Sequence, residues 1–390
     1  MSGLVAVLGA SGGVGLHTAR QLVRSGVGLR LGARRPEVMR SVVPPNAETA
    51  ETAGTVEVVA VDLWDDAALA EFCAGASVVV NCAGPSYAVV DRVALAALAS
   101  GAHYVDPGGD VPLWRALSHE DWAASGLTAV INAGLMPGLT SVLPHWLAEG
   151  MVQRRSLTAY VGLLDRMTPV GAAEYLLTLA GEHGEAMAAW RDGQRRSRAL
   201  GPVSGVRVPF FSSPVDLQPY LSLETERLAS SLRLSEVDWW NVFDGEGHVL
   251  RTLARLQADG LDGDLSASAR LLCEAAELDL FGRTPYQTLV FQLDGTTRDG
   301  TPESRTALLR GTDTYALTAA VASFSARRLL EGAEPPGAQH VQDVVDADAL
   351  CAWLREQPEV TVLERFTSPT TSDGTAERSE VVDDVEEGVL

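Results

Sequence analysis

A short apolar run, Leu4 to Leu8, passes directly into Gly9-Ala10-Ser11-Gly12-Gly13-Val14-Gly15 and then into a helical pattern. That order, strand then glycine turn then helix, constrains the chain more than any other feature. Glycines at 9, 12 and 15 suit a tight turn, a close approach of backbone to pyrophosphate, and close packing of helix on strand, with the helix N-terminus facing the phosphates. Gly9, Ser11, Gly12, Gly13, Val14 and Gly15 are therefore expected to hold a dinucleotide. A plain structural turn is the alternative reading.

The second strand discriminates between the two nicotinamide cofactors. An acidic residue roughly 20 positions on usually holds the ribose 2′-hydroxyl of NAD. None stands there: Gly28 to Ala33 runs instead into Arg34-Arg35-Pro36. A guanidinium fork is well shaped for a 2′-phosphate, so NADP(H) is the expected cofactor, with Arg34 and Arg35 as its phosphate ligands.

At 390 residues, 46% hydrophobic and 21% charged, the chain has room for two domains with sizeable cores. Its formal net charge of -21 argues against nucleic acid, because an acidic surface repels phosphate backbones. The sequence starts without a basic and apolar leader, and no apolar stretch approaches the roughly 18 residues a membrane span requires. A cytoplasmic protein without a membrane partner is expected. The four cysteines are scattered singly, which predicts neither disulfides nor a structural metal site. All 30 basic residues are arginine. A Schiff-base lysine, a lysine general base and the tyrosine–lysine arrangement of short-chain dehydrogenases are thereby excluded.

The pattern predicts an α/β chain: an N-terminal Rossmann domain, a doubly wound parallel sheet, over 1–150, and an α+β substrate and dimerisation domain on a mixed sheet over 151–366. A disordered acidic tail is expected over 367–390. In the first domain, strands are expected at Val56 to Val61, Ser77 to Asn81, His103 to Val105 and Thr128 to Asn132. Ligands in such sheets lie beyond the carboxyl ends of the strands. Asp62, Asn81, Ala83, Gly84, Pro85 and the loop from Asp106 to Asp110 should thus line the cofactor. Further on, Ser156 to Leu164 reads as a strand, Pro169 to Trp190 as a long helix with a break expected at His183, and Arg191 to Arg198 as an arginine-rich loop. Tyr286 to Leu293 and Ser304 to Leu309 read as paired strands joined through Asp294-Gly295 and Asp299-Gly300 turn signals, and Thr312 to Glu331 as an amphipathic helix that crosses back to the first domain. A short helix, Asp346 to Arg355, and a strand, Val360 to Phe366, follow.

Three segments, Asn81-Cys82-Ala83-Gly84-Pro85, Gly101-Ala102-His103-Tyr104-Val105-Asp106 and Asn132-Ala133-Gly134-Leu135-Met136-Pro137-Gly138, together resemble the saccharopine dehydrogenase-like reductases, in that family's order. Arg310 to Thr318 is similar to the family's returning helix. The family commonly carries Gly-Leu-Asp-Pro-Gly where this chain has Met136. The resemblance implies a homodimer and hydride transfer to an imine, since members reduce Schiff bases of amino acids as saccharopine-type dehydrogenases do, with thiazolinyl imine reductases of siderophore assembly and trans-acting enoyl reductases among similar folds. The substrate it implies is a small molecule or an intermediate tethered to a carrier protein. A non-catalytic NADP(H) sensor would share the same glycine loop.

Reducing a C=N bond needs a hydride at carbon and a proton at nitrogen. With lysine absent, histidine and tyrosine are the candidate acids. Tyr87 follows the Gly84-Pro85 loop, Asp106 ends the fifth strand, His145 lies on the helix after Pro137-Gly138, and His183 sits in Gly-Glu-His-Gly. A packed ring, a cap or a surface polar group is the bland alternative for each. Phe210-Phe211, Tyr220, Trp239-Trp240 and Phe243 are candidate aromatic walls for a flat ligand, with core packing as the alternative. Arginines 191, 195, 196 and 198 could meet a phosphopantetheine or an acidic carrier.

Overall fold

The computed structural model describes residues 3–40, 55–180, 183–260 and 264–368. Six strands follow the expected alternation: β1 (Leu4–Leu8), β2 (Gly28–Ala33), β3 (Val56–Ala60), β4 (Val78–Asn81), β5 (His103–Val105) and β6 (Thr128–Ile131). They read as near-continuous apolar runs because helices cover both faces; Val78, Val79 and Val80 are all fully buried. The second half supplies β7 (Met151–Leu164), β8 (Gly184–Ala186), β9 (Ala189–Arg191), β10 (Gln194–Arg196), β11 (Val203–Val206), β12 (Val215–Ser222), β13 (Glu236–Phe243), β14 (Tyr286–Thr297), β15 (Pro302–Gly311), β16 (Gly337–His340) and β17 (Val360–Ser368).

Two sheets result. The first is a seven-stranded parallel sheet in the order β16-β6-β5-β4-β1-β2-β3, the doubly wound arrangement with an added edge strand. The second has ten strands, with β10-β9-β13-β7-β14-β15-β17 as its main path. It is mixed, since β13 runs parallel to β7 while β14 and β15 form an antiparallel hairpin. One continuous apolar core serves both sheets, from Val5 and Val7 on β1 to Leu289 and Phe291 on β14.

Several local expectations are corrected. The helix that starts at Pro169 ends at Ala180, and Gly184–Ala186 and Ala189–Arg191 form β8 and β9 rather than more helix. The arginine-rich segment is ordered as the β9–β10 hairpin, in which Asp192 and Gly193 take positive φ as a tight reversal requires. Of the two turn signals, Asp294-Gly295 lies inside β14, and the reversal falls at 298–301, where Asp299-Gly300 stands. Thr367 and Ser368 are not tail but extend β17 against Arg305 and Ser304; the rest of the expected acidic tail lies outside the described residues. The helix Thr314–Leu330 is buried around most of its circumference because it is sandwiched between the Gly13–Arg24 helix, the first sheet and the Ala347–Arg355 helix. Asp165, at the end of β7, fixes its start by accepting from the Thr314 backbone N–H at 3.0 Å, the Thr314 hydroxyl at 2.9 Å and Gln287 Nε2 at 2.7 Å. Among the described residues no helix is long and apolar enough to cross a membrane.

Candidate active site

The glycine turn has the geometry a dinucleotide needs. Gly9 sits at φ +76°, and a Cβ there would stand 2.6 Å from the Ala83 nitrogen. A Cβ on Gly15 would lie 2.3 Å from the Gly9 carbonyl oxygen, so only glycine lets the Gly13–Arg24 helix settle on the turn. The Gly12 N–H donates to Gly9 O at 2.9 Å. That helix starts with no side-chain cap and no acid in its first turn, leaving its positive end to an anion. Tyr315 closes the far side: a Cβ on Gly13 would meet its ring at 2.9 Å, and its hydroxyl accepts from the Thr168 N–H at 2.7 Å.

At the other end of the cofactor groove the arginines divide their roles. Arg30 is committed to Glu57 at 2.8 Å and to the carbonyls of Phe72 and Ala74. Arg34 and Arg35, just past β2, are exposed and enter no ion pair among the described residues. Asp62, past β3, accepts the Trp64 N–H at 3.0 Å and so shapes its own turn. The cradle, the uncapped helix and the exposed guanidinium pair fit NADP(H), with Gly9 to Gly15 at the pyrophosphate and Arg34 and Arg35 at the 2′-phosphate.

Where the nicotinamide of such a cofactor would lie, the loops after β4, β5 and β6 meet the second domain. Asn81 holds the first of them, accepting from the Ala83 N–H at 3.1 Å and donating to Asp106 at 3.0 Å. Gly84-Pro85 is a cis peptide. The next residue, Ser86, donates its backbone N–H to Glu174 Oε2 at 2.7 Å and its hydroxyl to the other oxygen of the same carboxylate. Glu174 lies on the helix from Pro169, and burial pushes its pKa up against the opposing hydrogen bonds from Ser86.

Beside this contact the Tyr87 ring packs on His183, centroids 4.5 Å apart and tilted by 40°. Two candidate acids 96 positions apart in sequence thus share one cleft. Burial pushes the Tyr87 hydroxyl up to about 12, opposed by a hydrogen bond with Thr178, and the charges of Asp110 and Glu174 push in the same direction as burial. Tyr220, on β12, reaches the Thr178 carbonyl at 3.5 Å. Arg195 bonds Glu226 and lies 3.6 Å from Glu185, while Arg227 lies 3.3 Å from Asp110.

The other two acid candidates lie elsewhere. Asp106 is 3% exposed. Its carboxylate is filled by the Tyr104 hydroxyl at 2.6 Å, Asn81 at 3.0 Å and the Gly108 N–H at 2.8 Å. It ties the β4 and β5 loops together from below. His145 stands near the end of the Leu139–Ala148 helix, 2.8 Å from the Ser141 carbonyl and 3.0 Å from the Ser231 hydroxyl. That places it about 10 Å along the helix from the Gly138 loop. Of the candidate aromatic walls, Tyr220 alone joins the cleft. Trp239 packs on Phe291 in the core, and Trp240 and Phe211 join a separate cluster on the second sheet. Of the cleft partners, sequence reading singles out Asp110 with the cofactor loop and Arg195 as a carrier contact, but not Glu174 or Arg227; for Glu174, a lone glutamate in the apolar helix Val170-Gly-Ala-Ala-Glu-Tyr-Leu-Leu is the available signal.

Residues 5–130 match the family described as the saccharopine dehydrogenase NADP binding domain. That match runs from β1 to β6. The cofactor it supports is NADP(H), in agreement with the glycine cradle and the arginine pair. The whole saccharopine dehydrogenase-like fold extends further. Apo saccharopine dehydrogenase (L-Glu forming) from Saccharomyces cerevisiae superposes with a TM-score of 0.66 over 94% of this chain and 100% of that one, at 16% identity. A meso-dapdh mutant from Clostridium tetani gives 0.45 at 13% identity over 89% and 95%. A Caenorhabditis elegans lipid droplet localized protein is 31% identical over 115 residues, 28% of this chain and 27% of its own length. The chain thus matches about a quarter of that curated relative. Among the described residues no group of three or more histidine, cysteine or acidic side chains could hold a metal ion.

Proposed function

We propose that this saccharopine dehydrogenase-like chain is an NADPH-dependent reductase of a C=N bond in a small or carrier-tethered intermediate. The observation that carries the reading is the acidic setting of Tyr87, on which the charges of Asp110 and Glu174 act together, with the His183 ring packed against it. Carboxyl groups raise the proton affinity of a nitrogen base placed among them. A protonated imine is a far better hydride acceptor than a neutral one. An enoyl substrate would develop enolate charge instead, which the same carboxyl groups oppose, so C=N is favoured over C=C.

Bound NADPH would supply the hydride to carbon. The chain's own residues do the rest: Tyr87 or His183 gives the nitrogen the proton that stays in the product and is reprotonated from solvent when the product leaves, while Ser86 and Glu174 hold the cleft wall. The rings of Tyr87, His183 and Tyr220 give flat walls that suit a planar C=N. A thiazoline of siderophore-type assembly is the most specific member of that class.

The test follows NADPH absorbance with three substrates: a hydroxyphenyl-thiazolinyl-thiazoline thioester mimic, a Schiff-base mixture of 2-oxo acid and amino acid, and a matched enoyl thioester. Turnover of either C=N substrate without turnover of the enoyl thioester is expected. Reduction of the enoyl thioester alone would replace the proposal with C=C reduction. Tight NADPH binding without turnover of any of the three would favour a sensor.

A further inference from the structure

A cavity of about 470 Å³ lies on the second sheet, away from the cleft, and none of its lining residues belongs to the cleft. Its floor is the ends of β14 and β15, where Thr288 and Arg310 are paired neighbours, and its wall is the segment carrying Phe210 and Phe211. Phe210 is held at φ +69°, a strained value for a bulky residue, and Arg310 donates to its carbonyl. Phe211 meets Tyr286 edge-on, centroids 6.3 Å apart at 66°.

The two guanidinium groups in the lining differ. Arg283 is neutralised by Asp244 at 2.7 Å, which also accepts from the Tyr286 hydroxyl at 2.6 Å. Arg310 enters no ion pair among the described residues, and its charge acts on Tyr286, opposing the upward push that burial gives the phenol. An unneutralised cation beside phenyl rings, in a volume typical of small-molecule sites, selects a ligand with one anionic end and one flat apolar end.

We infer that this cavity binds a small aryl carboxylate, with Arg310 at the carboxylate and Phe210 and Phe211 along the ring. The site is separate from the cleft and does not depend on the reaction assigned to it.

Saturation-transfer NMR on the full chain loaded with NADPH, with phenylacetate as probe and 2-phenylethanol as its uncharged counterpart, tests the assignment. Phenylacetate should bind, 2-phenylethanol should bind at least tenfold more weakly, and Arg310→Gln should weaken phenylacetate at least tenfold with NADPH affinity unchanged. Thr361→Glu gives an independent variant, since Thr361 is exposed at the lining and its hydroxyl donates to the Arg310 carbonyl at 3.3 Å. Its added carboxylate should weaken phenylacetate by a similar factor. No binding of phenylacetate, equal binding of the alcohol, or unchanged binding by either folded variant overturns the inference.

Discussion

Arg30 and Arg34 stand four positions apart, and their surroundings separate their roles. The first is spent on Glu57 and on carbonyls at the end of a neighbouring helix, while Arg34 and Arg35 project past the strand. Replacing both with alanine should weaken NADPH at least tenfold, about 1.4 kcal/mol, and leave NADH unchanged in fluorescence titrations; equal loss of both contradicts the 2′-phosphate role. Tyr87 is the other decisive residue. With its hydroxyl pushed up to about 12, it keeps its proton across the working range, so kcat/KM should show no alkaline decline from this group below about pH 11. Tyr87→Phe should lower kcat by roughly 100-fold with KM little changed, measured under saturating NADPH. A residue that only packed against His183 would move neither parameter that far.

At the scale of elements, the helix Leu139–Ala148 shows how the two sheets are joined. It follows a strand of the first sheet and packs on β14 and β15 of the second. Its N-terminus is satisfied from the second domain: Glu224, 5% exposed, accepts from the Gly138 N–H, the Thr140 hydroxyl and the Ser141 hydroxyl at 2.7 to 2.9 Å. Glu224→Ala strands those buried donors and should cost about 2–4 kcal/mol, read as a lowered midpoint in denaturant unfolding. Glu224→Gln keeps an acceptor and should cost less. This link was not legible in sequence, because Glu224 lies in an ordinary polar helix 86 positions from Gly138. Local signals were legible where chain geometry sets them: the glycine turn, the apolar strands, and the Asp346 cap, whose side chain accepts from the Ala349 N–H. The helix from Pro169 was read too long because Met187 to Trp190 keeps an apolar helical pattern, and only pairing with β12 and β13 turns those residues into sheet.

The whole molecule has a shared core, and its pH response follows from what that core buries. β16, late in the chain, completes the first sheet, an addition that a four-residue strand gave no pattern to foresee. It carries His340, 3% exposed, stacked on Trp114 at 4.4 Å. Burial, aided by the Arg227 charge, pushes its pKa down to about 3. Between that value and the ordinary 6.5 the unfolded chain binds more protons than the folded one, so stability rises with pH across this window. His340 should contribute a slope of up to about 1.4 kcal/mol per pH unit there, and His340→Gln should flatten it in unfolding curves taken from pH 4 to 7. The Tyr87–His183 cleft was half legible: both rings were candidates, but their meeting depends on the second domain folding over the loops of the first.

The most direct test of C=N reduction follows the label. NADPH carrying deuterium at the transferred C4 position is supplied with the imine substrate, and the product is read by NMR. Deuterium at the former imine carbon, with none elsewhere, is the expected result. Product without deuterium at that carbon, or with deuterium at a neighbouring carbon, contradicts hydride transfer to C=N.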